Sequence, residues 1–268
     1  MFGTMVAFIK RDFFIALSYR TRFLAQIGGV FLSTLLFFFM SRLVDGGISG
    51  HLAGYGGDYF AFVLIGVSFT DYLFVSVNSF ADEIRQGQML GTLEALLCSA
   101  LSPVMILFCS SLYNFLFTTF RVVLYLLIGT LIFGMQIHLA HLGAFAVIMV
   151  LTIMSFWGIG LLSAALVVVF KQPSPLGWLM GPLAGLLGGV VYPIDVLPHW
   201  LQDMARLLPV TWSLDAMRLL LLNGMGWNNV LPHMVVLFVF SLVLQGTGMV
   251  CFRYALQVAR KDGSLLHY

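Results

Sequence analysis

The sequence predicts an all-α membrane protein of six transmembrane helices. Added to these are an N-terminal helix lying at the membrane interface, a short cytoplasmic helix in a polar break, and a re-entrant helical hairpin outside. Three observations carry that expectation. Hydrophobic residues make up 60% of the 268, charged residues only 9%, and the mean hydropathy is +1.01. A water-facing surface needs about a quarter of its residues charged. The apolar residues also fall into stretches near the length of about 20 residues that a bilayer core demands. Finally, one polar, amphipathic piece, Asp82 to Ser102, separates the second stretch from the third.

In chain order, Val6, Ile9, Phe13 and Leu17 recur at helical spacing, with Lys10, Arg11, Ser18 and Arg20 elsewhere on the wheel. Residues 1–20 therefore read as an interfacial helix on the inner leaflet, the alternative being a plain extension of the first span. The apolar stretches follow: Phe23 to Leu43, Tyr59 to Phe80, Val104 to Phe133, Leu142 to Phe170, a short one from Leu176 to Val191, and Val230 to Phe252. Between the first two, Asp45 to Asp58 is rich in glycine and reads as a flexible connection. All 268 residues read as one membrane domain.

Basic residues set the orientation. Lys10, Arg11, Arg20, Arg22, Arg85, Lys171, Arg253, Arg260 and Lys261 fall on the side of both termini, against Arg42, Arg206 and Arg218 on the other. Both ends and the 82–102 segment are thus expected in the cytoplasm, in a multi-pass protein of the plasma or inner membrane.

Within the polar break, Leu90, Leu93 and Leu97 share one face of a short helix, while Thr92, Glu94 and Ala95 point away from it. Gly87 and Gly91 set the start of that helix and Pro103 opens the next span. A rigid helix held between two spans can take a push from a soluble partner; the alternative is that it floats on the headgroups. In the fifth stretch, Gly177, Gly181, Gly185 and Gly189 recur every four residues, with Gly188 and Pro182 added, which makes a smooth face for close backbone contact. Static packing and a moving gate both fit that face. Residues 193–218 follow, punctuated by Pro193, Pro198 and Pro209. Pro198 opens one helix and Ser213 is expected to cap a second. Both are too polar to span, so they read as a hairpin dipping into the outer leaflet, with Trp200 and Trp212 at headgroup level.

Asp71 and Arg121 lie inside spans, where charges need a partner or water. They are expected either to pair with each other or to line a path for a polar headgroup, with Asn78, Asn114 and Gln245 as further members. Phe31, Phe37, Phe38, Phe69 and Phe74 are candidates for lining an apolar path, or else face lipid.

Several chemistries find no support in these residues. The sequence has no phosphate-binding loop of the Gly-x-x-x-x-Gly-Lys-Ser/Thr type. Its six histidines form no ligand pair with acidic neighbours, so no metal site is expected. Cys98, Cys109 and Cys251 fit neither a metal spacing nor a disulfide framework and read as small apolar fillers. A net charge of +2 argues against a nucleic-acid partner.

Three blocks carry a resemblance that runs through nearly the whole chain. They are Gly91-Thr92-Leu93-Glu94-Ala95-Leu96-Leu97 before Ser102-Pro103; Gly188-Gly189-Val190-Val191-Tyr192-Pro193 with Leu197-Pro198-His199-Trp200-Leu201; and Leu208-Pro209-Val210-Thr211-Trp212 with Asp215 and Arg218 downstream. In these the chain resembles the type-2 ABC transporter permeases, the membrane subunits of exporters for drugs, lipids and polysaccharides. It departs from them at Cys98-Ser99-Ala100-Leu101, where the family often shows Thr-Pro.

The resemblance implies a dimer of permease subunits above two separate ATPase subunits, which bind ATP and Mg; this chain itself binds no cofactor. It makes Gly91, Thr92, Leu93, Glu94 and Leu97 the coupling helix that seats in the ATPase. It makes residues 1–20 the membrane-parallel connector. It places Tyr192, Pro193, Pro198, Trp200, Leu201 and Pro209 in the re-entrant helices near the exit. The expectation is a non-enzymatic permease moving an amphipathic or lipid-linked substrate outward among membrane lipids. An ATP-independent secondary transporter or channel is the competing expectation, and a non-transporting scaffold a third.

Overall fold

The computed structural model of the chain describes residues 2–18, 20–44, 52–89, 102–170 and 174–261. All regular structure among them is helical: α1 (Phe2–Ser18), α2 (Arg20–Val44), α3 (Tyr59–Met89), α4 (Pro103–Leu131), α5 (Leu142–Phe170), α6 (Pro175–Leu187), α7 (His199–Arg206), α8 (Pro209–Leu221) and α9 (Trp227–Lys261). Single 3-10 turns sit at Ala53–Tyr55 and Ile194–Val196.

Five of these helices contain stretches long and apolar enough to cross a bilayer: Phe23–Leu43, Tyr59–Gly87, Pro103–Leu131, Leu142–Phe170 and Trp227–Ala259. Two starts share one signal. Ser102 and Ser174 each precede a proline and accept a hydrogen bond from the backbone N–H three residues on, at 3.3 Å in both cases. Serine satisfies one of the free donors at a helix start, and proline at the first helical position lacks the N–H that would go unpaired.

Two expectations about length change. α3 does not stop at Phe80; it runs on through Asp82 to Met89, so the first part of the polar break is the end of a 31-residue helix. Nothing in 82–89 breaks a helix, and Ile84 stays buried, which continues the inward face. The fifth apolar stretch is the reverse case. α6 has only 13 residues, roughly 20 Å at 1.5 Å per residue, well short of the bilayer core. It ends at Leu187 because Gly188 leaves the helix and Gly189 takes φ +69, a left-handed conformation that favours glycine.

α3 is the central helix. Within its most apolar window 78% of residues are buried, against 11% for α2. Leu64, Ile65, Phe69 and Tyr72 of α3 meet Ile148 and Phe156 of α5 and Leu214 and Met217 of α8 in the main core, while Phe62 packs with Leu52, Tyr59 and Val63 in a smaller cluster. α2, α4, α5, α6 and α8 all pack on α3, α1 rests on α4 and α2, and α9 runs along α5. In lipid, helices gain little from hiding apolar surface, so close backbone contact has to hold them. α5 meets that need with two glycines: a Cβ on Gly248 of α9 would stand 2.6 Å from the Gly158 carbonyl oxygen, and one on Gly160 would stand 2.5 Å from the Ser76 carbonyl oxygen of α3.

The glycine face expected on α6 is only partly realised. Gly181 faces Phe74 of α3 (3.1 Å from a would-be Cβ) and Gly177 faces Asn78 (2.6 Å), but Gly185 looks into open space and Gly189 lies beyond the helix. α1 is a helix in its own right, resting on α4 and α2, with Lys10, Arg11, Phe13 and Phe14 exposed.

Candidate functional site

Two arrangements of polar groups stand out in this apolar bundle. The first surrounds the broken end of α6. The prolines place α7 and α8 as a hairpin: Thr211 Oγ1 donates to Ala205 O and Trp212 Nε1 to Arg206 O, both at 2.8 Å, so the turn is closed by its own side chains. Ser213 does not cap the second helix. α8 begins four residues earlier at Pro209, and Ser213 lies inside it, donating to Pro209 O and accepting from Thr152 Oγ1 of α5.

α8 turns Val210, Leu214, Met217 and Leu221 into the core, and with them Arg218, which is 1% exposed. Its guanidinium donates to Gly189 O (2.7 Å), Val190 O (3.0 Å) and Phe62 O (3.0 Å from Nη2, 3.3 Å from Nε), and lies 3.4 Å from the centroid of the Phe62 ring. The reason is general. Backbone that leaves a helix inside an apolar bundle carries carbonyls that water cannot reach, and they need internal donors. Arginine offers five in a fixed fork. Gly66 on α3 makes room: a Cβ there would meet Val190 O and stand 2.7 Å from Arg218 Nη2.

Around this hub the loops at one end of the bundle are tied together. Tyr55 Oη donates to Asp215 Oδ1 (3.1 Å), Asn223 Nδ2 to Gly54 O (2.7 Å), and the His138 backbone N–H to Leu221 O (2.8 Å). Burial raises both the Tyr55 phenol and the Asp215 carboxyl above their ordinary pKa, which keeps the phenol a donor. Residues 52–58 were expected in a flexible connection; they form a turn pinned to α8, while 45–51 lie outside the described residues.

Of the predicted hairpin residues, Tyr192 donates through its hydroxyl to Leu186 O at 2.5 Å and Pro193 and Pro209 are buried. Pro198 caps α7, Leu201 is half-buried and Trp200 is 64% exposed.

The second arrangement runs along the α3–α4 contact. Arg121 Nη2 meets Asp71 Oδ2 at 2.6 Å. So the first of the two expectations for these charges, pairing with each other, is the one realised. Next to them Tyr72 Oη donates to Thr119 Oγ1 (2.9 Å). Farther along, Asn114 Nδ2 donates to Ser79 Oγ (2.7 Å) and Ser110 Oγ to Glu83 Oε1 (2.9 Å). Asn114 thus joins the seam, whereas Asn78 bonds its own helix at Phe74 O and Gln245 bonds Met154 O on α5.

The segment with Gly91, Thr92, Leu93, Glu94 and Leu97 lies outside the described residues, between the ends of α3 and α4. At that end a cavity of about 220 Å³ opens between α3, α5 and α6, lined by Asn78, Asp82, Arg85, Ser174, Gly177 and Trp178. Of the proposed lining phenylalanines, Phe69 is buried in the core and Phe38 packs on Phe60 and Phe133, so neither lines a path within this chain; Phe31 and Phe74 are exposed. Sequence reading missed the Arg218 hub and the Ser79, Glu83, Ser110 and Thr119 contacts. A usable signal for the latter was present: polar residues on two consecutive apolar helices that rise on one as they fall on the other.

A family model described as "ABC-2 type transporter" matches residues 4–222. Over 110 residues the chain is 27% identical to "Linearmycin resistance permease protein LnrN" of Bacillus subtilis, which covers 41% of this chain and 29% of that protein. Over 151 residues it is 30% identical to "Probable multidrug ABC transporter permease YbhR" of Escherichia coli K12, 54% of this chain and 40% of that protein. The matched stretch spans less than half the length of each relative.

Proposed function

Because the chain belongs to the ABC-2 type transporter family, as a membrane subunit of an ABC transporter, we propose that it is the permease half of an ATP-driven exporter for an amphipathic or lipid-linked substrate. In this reading α6 and the unwound residues after it together make the sixth crossing, and both termini lie in the cytoplasm of a plasma-membrane protein. α1 lies on the inner leaflet. The 82–102 region, with Gly91, Thr92, Leu93, Glu94 and Leu97, seats in one of two ATPase subunits that hold ATP and Mg. The 193–218 hairpin, with Tyr192, Pro193, Pro198, Trp200, Leu201 and Pro209, forms the outer roof, and a second copy of the chain completes the path among membrane lipids.

The observation that carries the reading is the family match itself, which takes in both the 82–102 break and the 193–218 hairpin. The permease names of the relatives, one for linearmycin resistance and one for multidrug transport, support an amphipathic cargo. The apolar bundle, with Asp71 and Arg121 already paired to each other, supports it too.

The test is purification from lipid followed by native mass spectrometry. The expected result is a complex of two permease and two ATPase chains, lost on Glu94→Arg with the helical content of the chain retained. A complex indifferent to Glu94→Arg would overturn the coupling assignment. Full transport by the chain alone in liposomes under an ion gradient would overturn the ATP-driven reading in favour of a secondary transporter.

A further inference from the structure

Four side-chain hydrogen bonds between α3 and α4, among the described residues, are not scattered. Along α3 they fall at Glu83, Ser79, Tyr72 and Asp71; along α4 they fall at Ser110, Asn114, Thr119 and Arg121 in the same order. Descending one helix means climbing the other, so the pairs form a ladder with rungs along one seam. Every rung joins side chain to side chain, three of them part-buried and the Asn114–Ser79 rung exposed, and all four lie within the stretches Tyr59–Gly87 and Pro103–Leu131 that are long and apolar enough to cross a bilayer. Side chains that bond across helices in an apolar medium resist sliding and splaying, each only modestly, so that a row of them in register does what no single one would. The rungs begin within two turns of the point where the 90–101 segment leaves α3 and rejoins α4, and they extend to the Asp71–Arg121 pair deep in the bundle.

The geometry points to a mechanical role for these residues: the ladder fuses α3 and α4 into one strut, so that a displacement of the cytoplasmic segment they flank reaches the middle of the membrane undiminished. Ser79, Glu83, Ser110, Asn114 and Thr119 are then positioning residues for transport, and Asp71–Arg121 is the deep anchor of the strut and not a substrate contact. This rests on the permease reading above. A loosened ladder leaves the segment attached but lets α3 and α4 yield separately, so the push dissipates near the cytoplasmic end.

The test replaces one rung by a removable covalent one. In a chain whose Cys98, Cys109 and Cys251 are exchanged for serine or alanine, Ser79→Cys and Asn114→Cys are joined by a short bifunctional methanethiosulfonate reagent that thiols cleave. The readout is the permease-dependent part of ATP hydrolysis by the complete complex in lipid nanodiscs, measured against the ATPase subunits alone. Linked protein is expected to match the parent chain. Cleaving the linker in the same sample is expected to lower the rate roughly fivefold or more, the lower end of coupling between distant sites. Ser79→Ala with Ser110→Ala, which removes two hydroxyls without charge or bulk, is expected to act like the cleaved form, and Ser79→Thr with Ser110→Thr to act like the parent.

Loss of activity on linking would overturn the strut, since α3 and α4 would have to part in the cycle. Equal rates before and after cleavage would overturn it as well. If the chain has no effect on the hydrolysis rate of its ATPase in any form, the permease reading fails and takes the strut with it; the two failures are therefore told apart by the parent chain.

Discussion

The Arg218 guanidinium both stacks on the Phe62 ring, 3.4 Å from its centroid, and donates to the Phe62 carbonyl oxygen. One residue of α3 thus receives the arginine twice, and the fork's remaining donors close the carbonyls of Gly189 and Val190. Replacing Arg218 by methionine keeps the apolar stem and removes all of these donors. Each buried carbonyl left unpaired costs about 1–3 kcal/mol, so Arg218→Met is expected to lose several kcal/mol in denaturant unfolding in micelles. Arg218→Lys is expected to recover only part of that, because an ammonium cannot span the three oxygens as a planar fork does. A midpoint within error of the parent for Arg218→Met would refute the hub.

Gly66 and Gly185 make a matched pair of tests. A methyl at Gly66 runs into Val190 O and Arg218 Nη2, while one at Gly185 meets nothing within 4 Å. Gly66→Ala is expected to destabilise by about 1–3 kcal/mol, the usual cost of overfilling a packed interface. Gly185→Ala is expected to be neutral or to stabilise by up to about 1 kcal/mol through restricted unfolded-chain freedom. Thermal melting of both in one detergent decides it; the order reversed would contradict the description of the α6 break.

The α5–α9 crossing is set by Gly158 and Gly248, whose backbones approach too closely for side chains between them. Gly248→Val is expected to push α9 off α5 and expose their interface. The measurement is hydrogen exchange along 227–261: faster exchange localised to the half of α9 around Gly248 is expected, with the α3–α4 pair unchanged.

Asp71 and Arg121 lie within the bundle, and among the described residues each has the other as its ion-pair partner. Removing one partner leaves a charge without its counterpart, so Asp71→Asn or Arg121→Gln alone is expected to cost more than both together. A double-mutant cycle on unfolding should give a coupling of about 1–3 kcal/mol, discounted from fully buried pairs because both side chains retain some exposure. Strict additivity would mean that the pair contributes nothing to holding α3 on α4.

Much of this architecture is legible in the order of apolar and polar residues. Phe23–Leu43 and Leu142–Phe170 coincide with helical stretches because each is bounded by charge or a turn, and a long apolar run has few other fates. The Asp71–Arg121 pairing is readable for the same reason, since an isolated charge in a span demands a partner. What stays hidden depends on depth and direction. Arg218 counts with the outer basic residues, because composition near a span end cannot tell a solvated arginine from one turned inward to carbonyls 28, 29 and 156 residues away in sequence. Ser213 looked like a cap because serine suits helix starts, but Pro209 opens the helix first and core contacts hold it there. α3 outran its apolar stretch because polar residues do not end a helix unless something competes for its backbone.

The hub at Arg218 has one more implication. Strip away its side chain, and the oxygens of Phe62, Gly189 and Val190 would converge on an empty space. Rings of such oxygens are what channels use to hold dehydrated cations. The arginine is therefore a tethered cation filling the point on which these three oxygens converge, and it lets the chain break a helix inside the bundle with every one of those acceptors occupied.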